Sequence, residues 1–253
     1  MYIPEWNLIN LLIAAGCIFG SSALIYREFF PSTRLQYSKF SDISLDISIP
    51  FNIPSFFGML LIYTPSLILS IGFLWVSLYS NFHMILISFL TFLHYLKRVL
   101  EVLFIHKYSG KSNLFHNILI SLSYATFAIL IYFLSIQTIQ YNLILTILGV
   151  ILFFTGEAIN FYHHCILRDL RKDGSKGYKI PHRGLFKYIW CPHYVGEIIS
   201  FIAFAFITQH FFILILQLGS TGYLTIRAYN TKQWYKQKFN KIPKRACLLP
   251  YIF

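Results

Sequence analysis

Residues 142–171 read NLILTILGVILFFTGEAINFYHHCILRDLR. Up to His164 the run is long and almost wholly apolar, and a membrane-crossing helix needs about 20 such residues. Past His164 it turns basic. This one stretch therefore reads as a bilayer span that ends at a positively charged face.

The same pattern recurs on either side. Apolar runs occupy 7–26, 57–78, 82–104, 115–136, 142–164, 194–208 and 211–229, the last two being shorter or partly polar. Hydrophobic residues are 57% of the chain and charged residues only 12%. A water-soluble domain of 253 residues needs a larger charged surface than that. The expectation is an all-α, polytopic transmembrane helical bundle of about seven spans, with residues 1–253 forming a single membrane domain.

Charge placement gives the orientation. The connections near 79–82, 137–141 and 209–210 carry no Lys, Arg, Asp or Glu, whereas 105–114, 165–193 and 230–253 hold most of the basic residues. With seven crossings those basic segments fall on one side together with the roughly balanced 27–55 connection, and the N-terminus falls on the other, non-cytosolic side. The net charge of +12 fits both membrane topology with anionic lipid and a phosphate-bearing ligand. Nucleic acid is excluded as a partner, because no soluble element is left to read a groove. Cys17, Cys165, Cys191 and Cys247 form no CxxC pair and are expected to be reduced, structural thiols. No cleavable signal peptide is expected, so the first span stays as an anchor.

Ionisable residues inside apolar runs point to chemistry, because burying them in lipid is costly. In LHYLKRVLE, His94, Lys97, Arg98 and Glu101 follow i, i+3, i+4, i+7 spacing and share a helix face, with Tyr95 partly off it. This set serves equally as a bundle-facing ion pair. A second group runs from 156 to 197. Asn160, His164, Arg168 and Arg171 recur at helical spacing and could clamp phosphates, and Gly174, Gly177, Pro181 and Gly184 punctuate the loop that follows. The loop has no GxGxxG and no βαβ context, which excludes a Rossmann domain. Pro192 should open the next helix, with Tyr194 and Glu197 one turn apart. His163 and His164 form a lone HH pair, so no metal is expected.

Four strings, HYLKRVLEVLFIHKYS (94–109), LRDLRKDGSKGYKIP (167–181), CPHYVGE (191–197) and WYKQKFNKIPKRACLLPYIF (234–253), in this order resemble the steroid 5α-reductase superfamily. Within it they are most similar to the very-long-chain trans-2-enoyl-CoA reductases, over roughly residues 90–253. The resemblance implies a seven-helix fold with NADPH bound on the cytosolic side by Asn160, His164, Arg168, Arg171, Tyr178, Glu197 and Tyr235. It implies catalytic roles for Tyr95 and Arg98 in an HYxxR-type motif, and for Lys97 and Tyr194. It further implies a long-chain acyl-CoA substrate taken from membrane lipid, and a place in the endoplasmic reticulum or, alternatively, the mitochondrial inner membrane. Those reductases carry an N-terminal ubiquitin-like domain, for which this chain is expected to have no room. Where steroid reductases place a Gln-Glu pair on the second helix, this chain has Ile62 and Tyr63, which favours an acyl thioester over a steroid.

In the implied reaction, hydride addition at the β-carbon of a trans-2-enoyl thioester drives negative charge onto the thioester oxygen. A phenol (Tyr194 or Tyr95) beside a cation (Lys97 or Arg98) would stabilise it. Two positions depart from the resembled pattern: His193 stands in place of Asn, and Thr231 and Lys232 in place of His. Two alternatives follow, a catalytically inactive reductase-like subunit of a larger membrane complex with other membrane subunits, and a membrane methyltransferase using S-adenosylmethionine.

Overall fold

A computed structural model describes residues 1–35, 40, 51–108, 110–174 and 177–250. Positions 36–39 and 41–50 of the 27–55 connection lie outside the described residues, as do Ser109, positions 175–176 and the last three residues of the C-terminal string. Among the described residues there are seven α-helices: α1 (Leu8–Phe29), α2 (Ser55–Ser77), α3 (Phe82–Leu100), α4 (Leu114–Ile136), α5 (Leu143–Asp169), α6 (Pro192–Thr208) and α7 (Phe211–Lys238). Each of the seven apolar runs is a helix. Five of them, α1, α2, α4, α5 and α7, are long and apolar enough to cross a membrane. The chain is a polytopic helical membrane protein.

The helices start where the sequence offers caps. The side chains of Asn81, Asn113 and Asn142 accept from the backbone N–H of Met84, His116 and Leu145, satisfying donors that a helix start leaves orphaned. Pro192 occupies the first turn of α6 as expected. α5 ends at Asp169 and the chain continues as a turn in which Arg171 N–H donates to the Arg168 carbonyl. Arg171 therefore stands beyond the helix rather than on its stripe. α3 passes into a π-helical turn, Glu101–Ile105, a form common at functional sites.

The chain forms two compact units, Met1–Phe29 with Tyr141–Phe253, and Phe30–Gln140. In the first, α5 packs antiparallel to α6 on small residues. A Cβ on Gly156 would lie 2.6 Å from the Gly196 carbonyl oxygen, and one on Gly196 would lie 2.5 Å from the Asn160 nitrogen. Glycine at both positions thus lets the two backbones touch, the packing mode that membrane helices favour. α1 lies against α7 with contacts that advance in step: Ser21 at Gly219, Ile25 at Gly222, and Glu28 at Arg227 and Asn230. The two helices therefore run parallel. Arg227 Nη1 donates to Glu28 Oε2 at 2.9 Å, and Asn230 Nδ2 donates to Glu28 Oε1 at 3.0 Å and to its carbonyl oxygen at 2.7 Å.

The tight α6–α7 turn closes this unit at its other end. Gln209 sits at φ 51°, a left-handed conformation that costs a non-glycine residue energy. Its side chain compensates: Oε1 accepts from Asn142 N–H at 2.8 Å, and Nε2 donates to the Asn142 carbonyl at 2.8 Å and to Thr146 Oγ1 at 3.2 Å. Tyr2 pairs with the same turn through both its N–H and its carbonyl.

In the second unit, α2 packs on both α3 and α4. A short antiparallel ladder, β1 (Asn52–Pro54) with β2 (Lys111–Asn113), ties the start of α2 to the start of α4. Ser77 and Ser88 share a buried hydrogen bond of 2.6 Å between α2 and α3, and Phe73 stacks on Tyr132 of α4 with ring centroids 4.4 Å apart. None of the four cysteines is in a disulfide.

His210, in the α6–α7 turn, is wholly buried, and burial pushes its pKa down from 6.5 to about 4. It is neutral in the fold and must charge on unfolding in acid. Its contribution is therefore complete above pH 6.5 and lost as pH falls toward 4, up to about 3 kcal/mol. His210→Asn, which keeps an acceptor for Phe212 N–H, should flatten the fall in melting temperature of the detergent-solubilised protein between pH 6.5 and 4.5. Identical pH profiles for the two proteins would refute this.

Candidate functional site

The second unit holds a buried charged cluster where α2, α3 and the π-turn meet. Glu101 is its centre. Arg98 Nη1 donates to Glu101 Oε2 at 2.7 Å, and Lys97 Nζ lies 3.4 Å from Oε1. Arg98 also reaches α2, donating through Nη2 to the Tyr63 hydroxyl oxygen, with its guanidinium carbon 4.6 Å from that ring's centroid. The helical spacing of 97, 98 and 101 thus does bring both cations to one carboxylate. Tyr95 is buried among α3 and α4, where its hydroxyl donates to the Tyr124 carbonyl at 3.0 Å. Tyr108, just past the π-turn, shares a 3.0 Å hydrogen bond with His106 Nδ1. Burial pushes the Tyr108 phenol well above its ordinary range, with Tyr63 and Glu101 adding and Arg98 opposing, so it stays protonated.

The first unit holds a basic and aromatic surface built from the end of α5, the loop after it, the start of α6, the end of α7 and the tail. Asn160 Nδ2 donates to the His193 carbonyl at 2.9 Å, joining α5 to the opening of α6. The His193 ring lies 5.6 Å from His164 and 4.3 Å from Tyr194. Glu197 follows, buried in the same helix. The Arg171 guanidinium lies 4.9 Å over the Tyr178 ring, which meets Trp234 at 4.7 Å. Arg168 pairs with its neighbour Asp169 at 2.9 Å. Tyr235 stacks on Trp190 at 4.8 Å, and Arg245 lies 5.2 Å over Trp190 while donating to the Pro181 carbonyl at 2.7 Å. Gly184, at φ 56°, turns the chain with no room for a Cβ beside Tyr162 and Ile166.

The structure thus gathers Asn160, His164, Tyr194 and Glu197 around the start of α6, and Arg171, Tyr178 and Tyr235 around Trp234. It gathers Lys97 and Arg98 around Glu101, and sets Tyr95 one turn earlier on α3. Sequence reasoning did not single out Trp190, Trp234 or Arg245, and used Tyr63 only as a substitution against a steroid. None of these has a local signal, because their partners lie far along the chain.

A nucleotide cofactor fits the first unit on its donor set. Trp190 Nε1 and Thr231 Oγ1 are buried and have no hydrogen-bond partner among the described residues. Thr231 is one helical turn before Tyr235, the ring on which Trp190 stacks. Buried polar atoms of this kind are costly unless a ligand or water satisfies them. They stand beside aromatic faces and guanidinium groups, a set suited to rings and phosphates.

A family described as 3-oxo-5-alpha-steroid 4-dehydrogenase matches residues 110–253. The chain belongs to this family. It is similar to a very-long-chain enoyl-CoA reductase of Dictyostelium discoideum, 34% identical over 165 residues, which cover 63% of this chain and 55% of that protein. It is also similar to 3-oxo-5-alpha-steroid 4-dehydrogenase 2 of Homo sapiens, 40% identical over 107 residues, 42% of each chain, and to that of Sus scrofa at 41% over the same length. These matches span about half the length of the relatives. In the family's terms, the matched region contains the whole basic and aromatic surface, while the Glu101 cluster precedes it.

Arg98 is the principal counter-charge of a carboxylate buried to 1% exposure, whereas Lys97 is partly exposed. Arg98→Ala should therefore destabilise the protein by about 3–5 kcal/mol, the cost of stranding a buried charge, and Lys97→Ala by about 1 kcal/mol or less. Denaturation in detergent micelles measures both, and equal losses would contradict this ranking.

Proposed function

We propose that this chain is an NADPH-dependent reductase of the trans-2 double bond of long-chain enoyl-CoA thioesters, acting in fatty-acid elongation at the endoplasmic reticulum membrane. The observation that carries the choice of substrate is the reach of the similarity. Likeness to the enoyl-CoA reductase extends over 165 residues, against 107 for the steroid enzymes. The family assignment favours this reading over a methyltransferase.

NADPH supplies a hydride when bound. Arg171, with Arg168 and the basic loop to Arg183, would hold its phosphates. Tyr178, Trp190 and Tyr235 would offer ring faces, and Asn160, His164, Glu197 and Thr231 polar contacts. Lys97, Arg98 and Tyr95 of the second unit and Tyr194 of the first are the residues proposed as catalytic, for a reaction in which charge appears on the thioester oxygen as the β-carbon gains its hydrogen. A phenol hydrogen bond backed by a cation stabilises that charge in a site shielded from water. The apolar acyl chain would enter from the lipid, and the basic segments would receive the phosphates of coenzyme A.

Oxidation of NADPH by purified protein, followed by its loss of absorbance with a long-chain trans-2-enoyl-CoA, tests the reading. Wild-type protein should turn over. Arg171→Ala should weaken NADPH about 10- to 100-fold, as loss of a charged hydrogen bond of about 1.5–3 kcal/mol requires. Folded protein that binds NADPH yet reduces no enoyl-CoA would refute the substrate. Folded protein that binds no nucleotide would be the inactive subunit instead.

A further inference from the structure

Arg245 of the tail is buried and holds two other segments of the first unit at once. Its Nη1 donates to the Pro181 carbonyl at 2.7 Å, its Nη2 meets His182 Nδ1 at 2.8 Å, and its guanidinium lies 5.2 Å over the Trp190 ring. The residues beside it continue the join. Ala246 N–H donates to the Tyr188 carbonyl at 3.2 Å, Trp190 N–H to the Ala246 carbonyl at 2.9 Å, and Cys191 N–H to the Cys247 carbonyl at 3.1 Å. The tail thus ties the segment that carries Tyr178 and Arg183 to the opening of α6.

One of these contacts depends on a proton. A guanidinium has donors and no acceptor, so His182 Nδ1 is the acceptor and the ring is neutral in this contact. Protonation would put an N–H on Nδ1 facing the N–H of Arg245, with two positive charges at hydrogen-bond distance. His182 is exposed, so water can deliver that proton, and histidine is the side chain that gains one between pH 8 and 5. The charged groups around the join do not offset it. Arg183 is next in the chain, the charges of Lys232 and Lys236 on α7 reach Cys247, and Tyr235 lies in the field of Arg245. At the end of α5, His163 bonds the Ile159 carbonyl and the Leu185 N–H. Asp169 is paired with Arg168 and Lys172, and Asp173 with Lys179.

We infer that Arg245 and His182 form a pH-set latch on the nucleotide surface, closed while His182 is neutral and released when it is protonated. The inference rests on the nucleotide-binding reading for its ligand, and adds regulation of that site. Closed, the latch fixes Pro181 and His182 between Tyr178 and Arg183, so the loop meets a nucleotide already in place. The closed form carries one proton fewer than the released form. Falling pH therefore favours release, and nucleotide affinity falls with it. Arg245 acts through His182 and the loop, as a positioning residue.

His182→Gln tests this, because glutamine keeps a side-chain acceptor at every pH. NADP+ is the probe, since it survives acid where NADPH does not. Lowering the pH from about 7.5 to about 5.5 should weaken its binding to the wild type about 10-fold more than to His182→Gln, as loss of one charged hydrogen bond requires. Protonation of the nucleotide's own phosphate acts on both proteins alike and cancels. A second readout needs no nucleotide. Cys247 is buried in the tail that the latch holds, and mass spectrometry of its peptide follows its alkylation. In acid, Cys247 should be alkylated about 5-fold faster in the wild type than in His182→Gln, and equally fast at neutral pH. In an Arg245→Gln background, His182→Gln should alter the pH dependence of neither readout. Equal acid weakening of NADP+ binding in the wild type and His182→Gln overturns the latch, and so does equal alkylation of Cys247. Protein that binds no NADP+ yet shows the acid-dependent difference in alkylation keeps the latch and defeats the nucleotide reading.

Discussion

A charge placed inside a membrane protein must find its counter-charge within the protein, because neither water nor lipid will supply one. Two carboxylates of this chain meet that demand. Glu101 draws Arg98 and Lys97 to itself along one helix, and Glu28 draws Arg227 and Asn230 across from another. Neither pair need add much net stability, since desolvation offsets most of the attraction, but a misregistered helix would strand a buried ion at a cost of about 3–5 kcal/mol. The pairs thus act as register pins. On α7 the pin at Arg227 and Asn230 fixes the helix just before Thr231 and Tyr235, so the rotation that neutralises Glu28 is the rotation that sets Tyr235 against Trp190.

Small residues complete what the charges begin. Gly156 and Gly196 let α5 and α6 approach until backbone meets backbone, and only at that separation can the short side chain of Asn160 reach the His193 carbonyl. That hydrogen bond seats the first turn of α6, and Tyr194 and Glu197 follow from it by helical spacing alone. At the opposite end of the same unit, Gln209 holds a strained turn with three hydrogen bonds from one side chain. The helix pair is thereby clamped at both ends by polar contacts and along its length by van der Waals contact.

Hydropathy made the helices legible, since each apolar run is a helix, and charge spacing made Glu101 with its two cations legible. It failed where a helix leaves the apolar zone. α7 continues to Lys238, past the apolar limit near 229, because its last turns pack Trp234 and Tyr235 on the loop and the start of α6. α5 stops at Asp169, before the arginine stripe is complete, because the chain turns back toward Tyr178. Contacts between distant positions carried no signal at all. Glu28 and Arg227 are separated by 199 positions and Tyr63 and Arg98 by 35, and a hydropathy profile reports exposure to lipid, not which helices meet. Trp190 was invisible for the same reason: its meaning comes from Tyr235 and Arg245, both supplied by later segments.

The two units hold their polar groups in different ways. The first spreads guanidinium groups and ring faces over several segments, with Arg171 over Tyr178 and Arg245 over Trp190. The second concentrates its charge on two helices and the turn that follows one of them, with Arg98 held between Glu101 and Tyr63. An arginine shared by a carboxylate and a phenol in low dielectric is fixed at both ends, so neither partner can shift without moving the other.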